Sequence, residues 1–160
     1  MKFICNKDTI LSVVQTTSKA AAGKSSIQAL EGILMELEGN TLTVTGYDLD
    51  IGIKTSIGVE CIEIGNIVIS AKMAVDIIRK MPSGSITFEC SGNNLAEITN
   101  NMTSFSVSCS SADDYPNVPQ VNPDTSFTMP QKLLKSMIIQ TKFAVAVVDS
   151  KPALMGCKFE

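Results

Sequence analysis

Asp48-Leu49-Asp50 is the spacing most open to a chemical reading in this 160-residue chain. Two carboxylates one residue apart can hold a divalent cation, and beside a phosphate they would serve a metal-dependent transferase. The alternative is structural, because Asp side chains accept hydrogen bonds from nearby backbone N–H groups and shape turns. Asp113-Asp114 offers the same choice between a cation site and an acidic linker. The chain has no histidine, so no Ser-His-Asp or Cys-His arrangement can form within it, and zinc would need cysteines or carboxylates alone. No Cys-x-x-Cys, Gly-x-x-x-x-Gly-Lys-Ser/Thr or Gly-x-Gly-x-x-Gly is present. The five cysteines (5, 61, 90, 109, 157) are odd in number and scattered, which fits free thiols in a reducing, cytoplasmic setting. None has a basic neighbour in sequence that would make it a nucleophile. With no Trp, two Tyr and six Phe, a platform for stacking unpaired bases is not expected. A non-catalytic binding protein without a cofactor is the stronger expectation.

The elements that would position these residues follow from periodicity. With 44% hydrophobic and 18% charged residues the chain reads as globular. Its longest apolar run, Phe143 to Val148, is far shorter than the roughly 20 residues of a membrane span. Nothing at the N-terminus resembles a signal peptide. A strand is predicted at 2–5, then a helix from Lys7, with Ile10, Val13, Val14 and Thr17 on one face and Gly23 as its stop. Strands at 32–38 and 41–46 flank Gly39-Asn40, and a third covers 51–59. The order then recurs: an apolar 67–69, a helix from Ala71 to about Met81 ended by Pro82, and strands near 85–90, 95–99 and 104–109. The fold class is α+β, built of two strand-helix-strand-strand-strand units with antiparallel sheets. The Pro- and Asp-rich stretch 113–124 marks a boundary between residues 1–123 and 124–160. Beyond it a strand (125–128), a helix (about 130–142) and another strand (154–160) are predicted.

Sliding the chain along itself by 124 residues aligns 3–36 with 127–160 without gaps, with ten identities in 34 positions. Phe3, Ser12, Thr17, Ala20, Ala22, Ser26, Ala29, Leu30, Gly32 and Glu36 recur as Phe127, Ser136, Thr141, Ala144, Ala146, Ser150, Ala153, Leu154, Gly156 and Glu160. Such a repeat implies the front portion of a longer repeat protein.

Charge is segregated as well. The net charge is −3, yet segments 7–24, 71–80 and 131–142 hold nine of the thirteen basic residues and only two of the sixteen acids, Asp8 and Asp76. These segments therefore carry +7, and the remaining four bases and fourteen acids leave −10. Solvated helices collect lysine in any case. The other reading is a helical surface that meets a polyanion through phosphates, with the acidic remainder repelling it from other faces. Arg79 and Lys80 are candidates from helical position alone.

Thr43-Val44-Thr45-Gly46-Tyr47-Asp48-Leu49-Asp50 resembles the Thr-Gly-x-Asp-Leu-Glu stretch of the bacterial DNA polymerase III sliding-clamp (beta subunit) family. Met1-Lys2-Phe3, Ile69-Ser70-Ala71-Lys72, Ala112-Asp113-Asp114-Tyr115-Pro116-Asn117, Phe127-Thr128-Met129-Pro130 and Gly156-Cys157-Lys158-Phe159-Glu160 extend the likeness along nearly the whole chain. The resemblance implies three similar domains per subunit and two subunits closing a ring, helices lining the hole and sheets outside. Residues 1–123 would be the first domain and 124–160 the beginning of the second. It implies no catalysis: the ring holds duplex DNA topologically and tethers a replicative polymerase, delivered by a clamp loader. The implied DNA contacts are Lys24, Lys72 and the loop from Val148 through Lys151 and Pro152 to Ala153. Lysine stands where relatives often carry arginine, which keeps the charge and loses bidentate geometry. The implied dimer surface is Met73, Ile77, Phe105 and Val107; burial within their own domain is the alternative for each. Thr103 and Ser104 are uncharged there, and Gln28-Ala29 departs from a common Pro-Ile. The groove for partner peptides, between the second and third domains, is expected to be absent. A structural adaptor for acidic proteins is a further alternative.

Overall fold

Strict alternation opens the chain: Phe3 and Cys5 of β1 (Lys2–Asn6) face inward between half-exposed Lys2 and Ile4. Asn6 then caps α1 (Lys7–Thr17), its side chain accepting from the N–H groups of Asp8 and Thr9. The buried stripe of α1 is Ile10, Val13, Val14 and Thr17, the 3.6-residue period read from the sequence. The computed structural model describes residues 1–92, 94–119, 126–148 and 151–160. They fall into two compact units, Met1–Pro119 and Gln120–Glu160.

In the first unit, α1 is followed by β2 (Gly32–Glu38), β3 (Thr41–Tyr47), β4 (Gly52–Gly58), β5 (Glu60–Glu63) and β6 (Gly65–Ser70). Then come α2 (Ala71–Lys80), β7 (Ser85–Ser91), β8 (Leu95–Thr99) and β9 (Ser104–Ser110). All pairings are antiparallel, in the order β4-β3-β2-β6-β9-β8-β7-β1-β5. The two strand-helix-strand-strand-strand units are present, β1-α1-β2-β3-β4 and β6-α2-β7-β8-β9. The short β5 was not anticipated, because Glu60-Cys61-Ile62-Glu63 has little apolar alternation; it is an edge strand against β1. Strand β9 belongs to both halves of the sheet. It pairs with β8 from Ser104 to Ser108, and with β6 only at Cys109 and Ser110.

The helix expected to run to Gly23 ends at Thr17 and tightens into a 3₁₀ turn, Ser18–Ala20. The Thr17 hydroxyl donates to the carbonyls of Val13 and Val14, and the helix end rests directly on β3. A Cβ on Gly46 would lie 2.0 Å from the Thr17 carbonyl oxygen, so only glycine permits this approach. Helix α2 is capped by Ser70, which accepts from Met73 N–H, and buries Ala71, Ala74, Val75 and Ile78. The main core joins these stripes to Phe3, Ile33, Leu42, Phe88 and Ile98, with the Phe3 and Phe88 rings stacked at 5.1 Å between centroids. A smaller core gathers Ala29, Leu30, Tyr47, Val68 and Tyr115, whose hydroxyl donates to the Thr45 carbonyl at 3.3 Å.

The second unit contains α3 (Gln131–Thr141), a 3₁₀ turn Lys142–Ala144 and another at Pro152–Met155. The strands expected at 125–128 and 154–160 are not formed among its described residues; residue 125 lies outside them. A strand needs a neighbour to take its backbone groups, and no described segment pairs with 126–130 or 156–160. What does recur is the local geometry at an offset of 124. Helices 7–17 and 131–141, turns 18–20 and 142–144, and turns 28–31 and 152–155 correspond residue for residue. So do Ala22 N–H to Leu30 O and Ala146 N–H to Leu154 O, and the Thr17 and Thr141 hydroxyl bonds to their own helices. No helix among the described residues is long and apolar enough to cross a membrane.

Gly46→Ala should lower unfolding stability by about 3 kcal/mol, read from the urea midpoint. Gly58→Ala, where an added Cβ meets nothing within 4 Å, should stay within about 0.5 kcal/mol of the parent. Burial pushes the Tyr115 hydroxyl from its ordinary 10 up to about 12. The fold therefore holds that proton on, and its share of stability is complete below pH 10 and lost as pH rises toward 12. Tyr115→Phe should flatten the alkaline fall by up to about 1.4 kcal/mol per pH unit, measured as the difference between parent and variant.

Candidate nucleic-acid interface

Apolar stripes settle where the charges of α1 and α2 can go. On α2, Lys72, Asp76, Arg79 and Lys80 sit at i, i+4, i+7 and i+8, opposite Ala71, Ala74, Val75 and Ile78. Lys72, Arg79 and Lys80 are exposed, as sequence position suggested. Lys72 lies in the first turn, which contains no acid to complement the positive helix N-terminus. A cation there is unfavourable by itself and favourable only with an anion bound. Arg79 is less available: its guanidinium lies 3.8 Å from Asp76 Oδ1 on an exposed face. Sequence reading missed Asp76 as a neutraliser, although its i+3 relation to Arg79 was legible.

Lys24 is exposed on the loop that follows α1 and is not helical. Its neighbour Gly23 and Lys72 line one cavity of about 910 Å³. That cavity also holds Glu31, Asp76 and Asp114, so its interior does not suit a polyanion; Lys72, exposed where it lines the cavity, and Lys24 next to Gly23 do. Lys19, at the end of the turn after α1, is a further exposed cation not singled out from sequence. Lys7, counted with the basic helices, is half-buried and paired with Asp8 at 3.4 Å.

In the second unit, Val148 and the segment Lys151-Pro152-Ala153 are exposed. Residues 149 and 150 lie outside the described residues. The 124-residue offset places Val148 where the first unit has Lys24, and Lys151 where it has Ile27. The repeated loop thus carries its charge three residues later. Val148 supplies an apolar side chain, so any contact of this loop with phosphate runs through Lys151 or the backbone.

The residues expected at a dimer surface divide. Met73 is exposed at 47% and Ile77 is half-buried, which leaves both able to meet a partner. Strand alternation turns Phe105, Val107 and Cys109 inward and Ser104, Ser106 and Ser108 outward. Val107, 2% exposed, packs its side chain into its own domain's core, the alternative weighed for it. The edge itself is nonetheless open: Ser104 to Ser108 pair with β8 on one side and with no described strand on the other.

Asp48 is a turn residue. Its Oδ1 accepts from Asp50 N–H at 3.0 Å and Ile51 N–H at 2.7 Å, while Leu49 takes a φ of 81°. Asp113 accepts from the Ser111 hydroxyl, in a 3₁₀ turn capped by that serine. Among the described residues no three Cys, Asp, Glu or His side chains converge on a point.

A family model described as DNA polymerase III beta subunit, N-terminal domain, matches residues 1–119. The beta sliding clamp of Halalkalibacterium halodurans is 33% identical over 168 aligned residues, covering 100% of this chain and 44% of the relative. That of Bacillus subtilis is 31% identical, with the same coverages. Among solved structures, a putative DNA polymerase III beta subunit from Eubacterium rectale superposes with a TM-score of 0.88 at 31% identity, over 96% of this chain and 42% of that one. The B. subtilis DNA polymerase sliding clamp superposes with a TM-score of 0.86 at 31% identity, over 95% and 42%. The chain spans less than half the length of these relatives.

Asp48→Ala should lower stability by about 1–2 kcal/mol through the loss of both turn bonds, and Asp48→Asn should restore most of it. Isothermal titration of Mn²⁺ into parent and Asp48→Ala protein should give the same trace.

Proposed function

We propose, from the premise that the chain belongs to the DNA polymerase III beta-subunit family, that it forms the DNA-facing first part of a sliding clamp. Residues 1–123 act as the first domain and 124–160 begin the second. Two full-length subunits close a ring in the cytoplasm, hold duplex DNA without catalysis, and tether the replicative polymerase after a clamp loader has placed them.

The observation that carries this reading is Lys72, a cation in the first turn of α2 where no acid complements the helix N-terminus, beside the loop that bears Lys24. An anion there answers both the lysine and the helix N-terminus. Side chains of this kind contact phosphates and read no base edges, so no register along the duplex is preferred and sliding is unimpeded. The repeat supports it in a second way, since a loop of the same geometry recurs with Lys151 as its cation. The open edge of β9 beside α2 supports ring closure through strand addition, with Met73 and Ile77 next to it.

The full-length protein, loaded on nicked circular DNA by the clamp loader of its source, should be retained there and lost within minutes when the circle is linearised. Equal retention on both would defeat the proposal. Lys24→Glu with Lys72→Glu should weaken direct binding to short duplexes and reduce the slope of log affinity against log salt by about 2.

A further inference from the structure

We propose that Cys90 and Cys109 form a redox-active dithiol that closes to a disulfide when the protein meets a peroxide or a low-molecular-weight disulfide. Their Sγ atoms are 3.1 Å apart, nearer than the roughly 3.5–4.0 Å at which uncharged heavy atoms rest against each other. Among the described residues no other two cysteines share a hydrogen bond, and Cys157 instead lies 3.6 Å from the Thr141 hydroxyl.

The sheet register explains how the two meet. Cys90 on β7 is level with Ala96 on β8, and Ala96 is level with Val107 on β9. Cys109 lies two residues beyond Val107 and so faces the same side. The intervening side chain is a single methyl, fully buried, and the two sulfurs lean toward each other over it. Both backbones are anchored, Cys90 N–H to the Met1 carbonyl and Cys109 N–H to the Asn94 carbonyl, each at 2.9 Å. The pair is held by the fold and does not depend on a chance encounter of loops.

The two thiols differ in access. Cys109 is buried, and burial first, then its hydrogen bond with the Cys90 thiol, pushes it up to about 12, so it stays protonated at neutral pH. Cys90 is half-buried and is the entry point for oxidant. The Cys90 thiol gives up its proton, the thiolate attacks a peroxide oxygen and the O–O bond breaks. The sulfur becomes a sulfenic acid, and the hydroxide released takes that proton and leaves as the first water. The Cys109 sulfur then attacks the sulfenic sulfur, displacing the hydroxyl, which takes the Cys109 proton and departs as the second water. Two thiols and one hydrogen peroxide thus give one disulfide and two waters. Glutathione disulfide achieves the same by two exchanges that release two molecules of glutathione thiol.

The bridge would cross-brace β7 to β9 over β8. Cys109 is also the residue at which β9 leaves β8 and joins β6, and it lines the cavity that Lys72 borders. Oxidation therefore fixes the root of the open edge from Ser104 to Ser108.

The test treats the full chain with hydrogen peroxide, blocks remaining thiols with N-ethylmaleimide, and reads intact mass and peptides. The expected result is loss of two hydrogens, two fewer alkylations and a linked peptide containing Cys90 and Cys109, all reversed by dithiothreitol. Cys90→Ser and Cys109→Ala should each abolish the link, and Cys61→Ser should keep it. Amide exchange across residues 104–110 should slow at least fivefold in the oxidised form. Oxidation confined to single cysteines, a different pairing, or no mass change would overturn the dithiol. Unchanged exchange with the link present would overturn the brace.

Discussion

Each helix of the first unit has one stripe that must be buried, and its position against the sheet decides where every charge can stand. For α1 the limit is the contact between the Thr17 carbonyl and Gly46, where no side-chain carbon fits between helix end and strand. That contact sets how closely the helix lies on β3 and ends it at Thr17. The loop that follows carries Lys24, exposed to solvent. For α2 the four buried residues Ala71, Ala74, Val75 and Ile78 leave Lys72, Arg79 and Lys80 nowhere but solvent. The cationic surface is thus a by-product of apolar burial, selected afterwards by which polar residues occupy the exposed stripe.

Much of this was legible because period is a local property. The buried sets of α1 and α2, the Gly39-Asn40 hairpin and the strands from Gly32 to Tyr47 stand where alternation and helical spacing placed them. Long-range matters were not legible. Nothing local announces that Gly46 touches Thr17, that β9 joins two strand sets, or that the 3.6 period gives way at Thr17 and not at Gly23. The edge strand β5 escaped because its partner β1 is remote in sequence. Alternation within β9 turns the Val107 side chain inward, while the backbone edge of the strand that carries it stays open. Of the candidate cations, exposure could be anticipated and neutralisation could not, as Arg79 beside Asp76 illustrates.

The repeat carries a lesson about what a duplicated module conserves. Backbone geometry survives to the level of individual hydrogen bonds, including a threonine hydroxyl bonded back into its own helix in both copies. Side-chain chemistry is freer. The lysine at 24 has become a valine at 148, and the cation has moved to 151. A surface that recognises only phosphate tolerates such a shift, since a charge displaced by three residues still lies within a Debye length of the same backbone.

Strand β9, shared between two strand sets, has a mechanical side. Its five ladder positions against β8 run parallel to the exposed edge. A pull directed along that edge would load those positions together in shear, whereas a pull at right angles would peel them one after another. The first geometry resists far more tension than the second. A domain gripped along β9 is therefore stiff in the direction of the strand and compliant across it.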